Sequence, residues 1–132
     1  MPLRTRASWV DNPPVQGTLA LNRSELRRYL GRVGDRWQLD GAFLGGTALN
    51  GVGDRALAAE AVTFTLVLVA DSFDSVPWLE RVRVAASLWD AGEMGAGVEA
   101  HCYTRAEFDR KRDSVQAVRD AVWHGLDLLV FI

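Results

Sequence analysis

Residues 62–69 read Val-Thr-Phe-Thr-Leu-Val-Leu-Val, and this stretch decides the fold. It is rich in β-branched side chains and nearly uninterrupted in its apolar character, which is typical of a strand buried on both faces of a sheet. Asp71, Ser72, Asp74 and Pro77 follow it and indicate where the strand ends. The sequence therefore predicts a central strand over 62–69, with the remaining elements arranged around it.

Helical spacing is present on both sides of this strand. Asn22 and Glu25 form a capping-box-like pair, and apolar residues then recur at the helical period. The predicted helices are 23–34, about 77–90, a short one capped by Thr104 with Glu107 at its third position, and one from Ser114 to a stop at Gly125. Together with the strands, these helices predict a small α/β domain.

Three shorter strands are predicted beside the central one, at 42–44, 98–103 and 126–132. The interval between 44 and 62 is only weakly helical, which favours a mixed sheet over a purely parallel one. Gly92, Gly95 and Gly97 predict a flexible connection. The domain division is an N-terminal arm over 1–22, with a short strand near 18–21, and an α/β domain over 23–132.

Composition and charge exclude several classes of protein. The chain has 132 residues, 48% hydrophobic and 24% charged, which predicts one globular domain with its own core. A net charge of −2 argues against a general nucleic-acid binder, because phosphate binding normally requires a basic excess. A single cysteine and no signal segment predict a cytoplasmic protein, and the longest apolar run is about half a membrane helix.

Familiar catalytic and metal motifs are missing from the sequence. It contains no phosphate loop, no pair of Cys-x-x-Cys motifs, no His-Glu-x-x-His and no Gly-x-Ser-x-Gly. His101, Cys102 and His124 are too few to form a structural zinc site of four soft ligands. His101 and Cys102 are neighbours on a predicted strand, so their side chains point to opposite faces and do not form a nucleophile and base.

Three segments together resemble the nucleotidyltransferase superfamily, specifically the minimal nucleotidyltransferases of prokaryotes. Gly45-Gly46-Thr47 follows a strand, Thr63-Phe64-Thr65 opens the central strand, and residues 98–108 join a strand to a helix. In that family a strand is followed by Gly-Ser or Gly-Gly, a second strand carries Asp-x-Asp, and a third strand supplies another acid. The resemblance covers roughly residues 24–130.

This resemblance implies a vestigial active site. The positions of the Asp-x-Asp pair are occupied by Thr63 and Thr65, and only Glu99 matches the third acid. A neutral hydroxyl is a much weaker magnesium ligand than a carboxylate, so no metal or other cofactor is expected. The glycine turn, Gly45, Gly46 and Thr47, is the remaining candidate for weak nucleotide binding.

The alternative is an active enzyme that uses magnesium and a nucleoside triphosphate. It requires other carboxylates to replace the lost metal ligands, and Asp54, Glu60 and Asp71 are the candidates. Asp71 is also explained as a turn former after a strand, and Asp54 as part of a solvated loop.

Five tryptophans suggest a role in binding. Trp37 and Trp89 are in phase with apolar helix faces and are predicted to be core residues, whereas Trp9 and Trp78 lie beside turns. Exposed tryptophans are common at protein interfaces. The sequence therefore predicts a degenerate nucleotidyltransferase-like protein that self-associates or binds a small helical partner, as the family does in toxin–antitoxin modules. The run of bases at 110–112 is read as a solvated helix end rather than a phosphate contact.

A third interpretation is an interaction module whose likeness to the transferases is accidental. Strand order bears on this interpretation, because the likeness to the transferases requires the strand of Thr63 to lie between the strands of Leu44 and Glu99.

Overall fold

The computed structural model describes residues 21–49 and 62–131. Within these ranges the chain forms a four-stranded sheet flanked by helices, which confirms the predicted α/β class. Trp9, Asp54, Glu60, the strand predicted near 18–21 and nearly all of the predicted N-terminal arm lie outside the described residues.

The sheet is mixed, as predicted. Its strands are β1 (Gly41–Gly45), β2 (Thr63–Val69), β3 (Gly97–Tyr103) and β4 (Leu126–Asp127), in the spatial order β3-β2-β1-β4. β2 runs parallel to β3 and antiparallel to β1, and β1 is also antiparallel to β4. The strand of Thr63 thus lies between those of Leu44 and Glu99, as the transferase interpretation requires.

Side chains of β2 alternate between two apolar layers because successive strand residues point to opposite faces. Phe64, Leu66 and Leu68 pack into the larger cluster, which includes residues of α1 (Arg23–Gly34) and α2 (Trp78–Ser87). Val67 and Val69 pack into a second cluster with α4 (Arg105–Lys111) and α5 (Gln116–His124). This burial on both sides explains the uninterrupted apolar character of the central strand.

Helix α1 begins and ends where the sequence predicts. The side chain of Asn22 accepts a hydrogen bond from the Glu25 N–H at 3.0 Å and so caps the helix. Leu26, Tyr29 and Val33 are buried on one face of the helix. Trp37 and Trp89 also belong to the larger apolar cluster, which confirms their predicted place in the core.

The connection from β2 to β3 contains more helix than predicted. A short 3-10 helix (Asp71–Ser75) follows β2, and α2 ends at Ser87 rather than near residue 90. Residues predicted to form a flexible glycine connection include one helical turn, α3 (Ala91–Met94). The Asp90 side chain caps α3, and Gly95, at φ 88°, ends it in the left-handed conformation.

The C-terminal elements are predicted only in part. Thr104 and Glu107 form the predicted capping box at the start of α4, and α5 follows and ends at Gly125. The strand predicted over 126–132 is wrong beyond its first two residues. Of residues 126–132, only the two that form β4 pair with β1. The chain then turns into α6 (Leu128–Phe131), whose Leu128 is buried in the larger apolar cluster.

Candidate functional site

The predicted site residues on the strands and the glycine turn, except Gly45, line one cleft at the end of β1 and the beginning of β2 and β3. The cleft has a volume of about 420 Å³, and its polar rim is completed by the first half of α5. Its lining residues are Gly46, Thr47, Thr63, Thr65, Glu99, Gln116, Ala117 and Asp120. Sequence reasoning identified the five members that lie on or next to the strands and missed the three on α5.

The two threonines and Glu99 share one face of the sheet. Thr63 and Thr65 are two residues apart on β2, and Thr65 is the direct register partner of Glu99 on β3. Thr65 is 6% exposed, whereas the side chain of Glu99 is largely exposed. This arrangement puts two hydroxyls and one carboxylate side by side where the family resemblance implies three carboxylates.

His101 is a neighbour of Glu99 on β3. Its Nε2 lies 3.4 Å from Glu99 Oε2 and is buried, with no hydrogen-bond partner among residues 21–49 and 62–131. Cys102 points to the other face and belongs to the larger apolar cluster, as expected of strand neighbours. Burial raises the pKa of the Cys102 thiol to about 12, so the thiol stays protonated and is a poor nucleophile.

Close packing explains both glycines at the end of β1. A Cβ atom on Gly45 would lie 2.9 Å from the Cα atom of Ala121, so only glycine lets α5 approach this strand. Gly46 has φ 97°, and a Cβ there would lie 2.6 Å from the Thr65 nitrogen. Close packing therefore requires glycine at both positions whether or not a phosphate binds there.

Thr47 is held by the backbone of β2. Its hydroxyl donates to the Thr63 carbonyl oxygen at 3.3 Å and accepts from the Thr63 N–H at 3.1 Å. The Ala48 N–H donates to the same carbonyl at 2.9 Å. The hydroxyl thus continues the pairing of β1 with β2 past the end of the strand, a role that sequence reasoning did not foresee.

Helix α5 adds a carboxylate that the sequence prediction missed. The amide of Gln116 donates to both carboxylate oxygens of Asp120, at 3.0 and 3.1 Å. Arg119 donates in turn to Gln116 Oε1 at 2.8 Å. The i, i+4 spacing of Gln116 and Asp120 signals that they share a helix face, but only the packing of α5 on Gly45 puts that face over the cleft.

Among the described residues, Glu99 and Asp120 are the carboxylates that line this cleft. Across the part of the chain that the structure describes, no three His, Cys, Asp or Glu side chains form a group that could hold a metal ion. Asp71, a candidate replacement ligand, follows the far end of β2, and about 13 Å of strand separates Thr65 from Val69. Its carboxylate accepts from the Arg105 N–H at 3.1 Å. The other two candidates, Asp54 and Glu60, lie outside the described residues.

No family model, curated protein or solved structure matches this chain. The resemblance to nucleotidyltransferases therefore rests on the residues and geometry given above and stays a prediction. None of the helices in the described ranges has the length and apolar character needed to cross a membrane.

Proposed function

We propose that this protein is a nucleotidyltransferase-like domain that has lost metal-assisted transfer and acts by binding, either to a second copy of itself or to a small helical protein partner. One observation carries the proposal. Two threonine hydroxyls stand beside Glu99 on the face where the transferase chemistry would need two further carboxylates. The proposal includes a cytoplasmic setting and a paired module of the toxin–antitoxin type.

The chemistry of the cleft supports loss of transfer. Magnesium prefers charged oxygen ligands, and a neutral hydroxyl neither offsets its charge nor replaces its tightly held waters. Loss of one group that stabilises transition-state charge typically lowers the rate by about 10²- to 10³-fold. With both Thr63 and Thr65 in place of acids, we expect transfer to fall to the uncatalysed background.

Exposed apolar side chains support the binding role. Trp123 near the end of α5 is 66% exposed, and Leu129 and Val130 on α6 are also exposed. These two helices are connected through β4, the short strand at one edge of the sheet. Tryptophan and aliphatic side chains on neighbouring elements at a sheet edge are typical of a protein interface.

Restoring the acids tests the vestigial site. The double variant Thr63→Asp, Thr65→Asp brings three carboxylates together, so its urea midpoint should rise when magnesium is added. The matched control Thr63→Asn, Thr65→Asn has the same side-chain size without the charge and should not respond. If the double variant does not fold, Thr63→Asp is compared with Thr63→Asn; it brings two carboxylates together, so a smaller rise with magnesium is expected. An aspartate variant that folds but ignores magnesium would show that the transferase resemblance is accidental.

Self-association is tested by light scattering after gel filtration. A mass above 14.6 kDa for the wild-type chain that returns to the monomer in Trp123→Arg supports self-association. If the wild type is a monomer, the proposal is that the chain binds a small helical partner protein. Affinity capture with the wild-type chain and with its Trp123→Arg variant then tests that binding. Equal capture by both variants would contradict an interface at this edge.

The second candidate is an active magnesium-dependent transferase with relocated carboxylates. The observation that favours it is Asp120, which brings a second carboxylate into the cleft beside Glu99. It predicts magnesium-dependent incorporation from a labelled nucleoside triphosphate that disappears in both Glu99→Ala and Asp120→Asn. Incorporation with that pattern would replace the first proposal, and its absence under the same conditions would exclude the second.

A further inference from the structure

A second depression is lined by residues of α2, of α4 and of β3, which is an edge strand of the sheet. It has a volume of about 280 Å³ and is lined by Trp78, Tyr103, Glu107, Arg110 and Lys111, which we call the Trp78 pocket. It shares no lining residue with the cleft described above. Tyr103 and Glu99 are four residues apart on β3, which is about 13 Å of strand.

Tyr103 is a largely buried side chain that belongs to the second apolar cluster and also lines the Trp78 pocket. It is 7% exposed, and its hydroxyl makes no hydrogen bond to any residue within the described ranges. Burial, with smaller contributions from Cys102 and Glu107, raises the pKa of Tyr103, so the hydroxyl stays protonated at neutral pH. The hydroxyl is not enclosed as an unsatisfied buried donor among the described residues, so it can donate to solvent or to a ligand oxygen at the pocket.

The other lining residues offer a flat apolar surface beside positive charge. The indole of Trp78 is 48% exposed at the start of α2. Arg110 and Lys111 at the end of α4 are exposed and form no ion pair within the described part of the chain. Such an arrangement fits a ligand with both a planar ring and an anionic group, since aromatic faces stack on rings and the cations attract the anion.

Glu107 does not cancel this positive charge. Its Oε1 already accepts from the Thr104 N–H at 2.9 Å and forms an ion pair with the buried Arg81 at 2.7 Å. The positive charge of Arg81 thus offsets the negative charge of the Glu107 carboxylate. The second oxygen, Oε2, makes no hydrogen bond to a described residue and is available to accept from an amino group.

We infer that the Trp78 pocket binds a nucleoside monophosphate, with the base stacked on Trp78 and the phosphate held by Arg110 and Lys111. An exocyclic amine of the base would donate to Glu107 Oε2, and Tyr103 would donate its hydroxyl to a ligand oxygen. A volume of about 280 Å³ is small for a binding pocket, which fits one base with its phosphate at the surface. The inference is independent of the cleft and of the proposed function.

Calorimetric titration of AMP, GMP, CMP and UMP into the full chain tests this inference. EDTA is present, so that no metal-dependent site contributes. We expect a dissociation constant between about 10 µM and 1 mM for at least one nucleotide. Trp78→Ala should weaken binding about 5- to 150-fold, which is the range for loss of one base–aromatic stack. Absence of binding by all four nucleotides up to 5 mM would overturn the inference.

Matched variants locate the site. Leu79→Ala removes an exposed apolar side chain of the same helix as Trp78 that does not line the pocket, and it should bind like the wild type. Arg110→Gln with Lys111→Gln should weaken binding at least 10-fold, whereas Arg27→Gln with Arg36→Gln changes the same net charge elsewhere and should not. Tyr103→Phe, which keeps the ring, should weaken binding about 5-fold. Equal affinity in Trp78→Ala and Leu79→Ala would contradict the inference.

Two further probes identify the source of the nucleotide. The first probe is a 5′-phosphorylated oligomer of five deoxyadenosines. If it binds the wild type more tightly than AMP does, and binds the Trp78→Ala variant more weakly than the wild type, the ligand is the end of a nucleic-acid strand and the inference is supported. AMP binding equal to or tighter than the oligomer would support a free nucleotide. Binding of hexaglutamate with no binding of any nucleotide would overturn the inference in favour of an acidic peptide.

Discussion

Arg81 connects three elements of the fold, and its loss should strongly destabilise the protein. The residue is 5% exposed, and its guanidinium donates to the carbonyl oxygens of Val76, at 2.8 Å, and Cys102, at 3.3 Å. It also forms the ion pair with Glu107 at 2.7 Å. One residue of α2 therefore satisfies a carbonyl before α2, a carbonyl on β3 and the carboxylate of the α4 capping box.

The change Arg81→Met keeps the length and apolar stem of the side chain and removes these three polar interactions. At about 1 kcal/mol for each lost hydrogen bond, the cost is about 3 kcal/mol. Removing one partner of a buried pair costs about 3–5 kcal/mol, and the lower value applies because Glu107 is partly exposed and regains water. The urea slope of a small domain is about 1–3 kcal/mol per molar, so the midpoint should fall by about 1 M or more.

Equilibrium urea unfolding, followed by tryptophan fluorescence, measures this effect. The matched control is Arg83→Met on the same helix, because Arg83 is exposed and pairs with Glu80 at the surface. A surface pair contributes about 0–1 kcal/mol, so this control should unfold nearly like the wild type. If Arg81→Met costs no more than Arg83→Met, the proposed role of Arg81 is wrong.

Four other substitutions test the packing and electrostatics of the fold. Hydrogen bonding from the Thr104 N–H, and then the pairing with Arg81, lowers the pKa of Glu107. The contribution of Glu107 to the free energy of unfolding is therefore present above the ordinary carboxyl pKa and is lost as pH falls through the lowered pKa. The difference in urea stability between wild type and Glu107→Gln should shrink between pH 6 and pH 3, and a constant difference would contradict this. Gly31→Ala, in open space on α1, should stabilise by about 0.5–1 kcal/mol in urea unfolding, whereas Gly46→Ala should destabilise, and the reverse order would refute the packing at Gly46. Tyr29→Phe removes the 2.8 Å hydrogen bond to the Ala85 carbonyl and should lower the thermal midpoint by the equivalent of about 1 kcal/mol; an unchanged midpoint would show that this bond contributes nothing.

Sequence patterns predicted the elements that are specified by interactions between neighbouring residues. The Asn22 cap, the capping box of Thr104 with Glu107 and the buried strand at 62–69 are each specified by a few neighbouring residues. Helix α3 is specified in the same way, because Asp90 caps it and Gly95 ends it. The prediction there was wrong because the three glycines were taken as a sign of flexibility, although one of them ends a helical turn.

Packing between elements that are far apart in the sequence determines the features that the sequence did not predict. The apolar end of the chain fits a strand by composition, but only two of its residues pair with β1, and Leu128 is buried in the larger apolar cluster as the chain turns into α6. The place of Asp120 in the cleft depends on Gly45, seventy-five residues earlier, which lets α5 approach the strand. The face shared by Thr63, Thr65 and Glu99 follows from strand alternation once the register of β2 with β3 is known.

The most direct measurement is a calorimetric titration of magnesium into the wild-type chain, with and without ATP. A working transferase site binds the metal and the triphosphate together, so each would tighten the binding of the other. We predict no heat of magnesium binding that depends on ATP beyond the association of the two in buffer. Magnesium and ATP that each bind at least tenfold more tightly in the presence of the other, with the effect abolished by Glu99→Ala, would contradict the view that threonines have replaced the metal ligands.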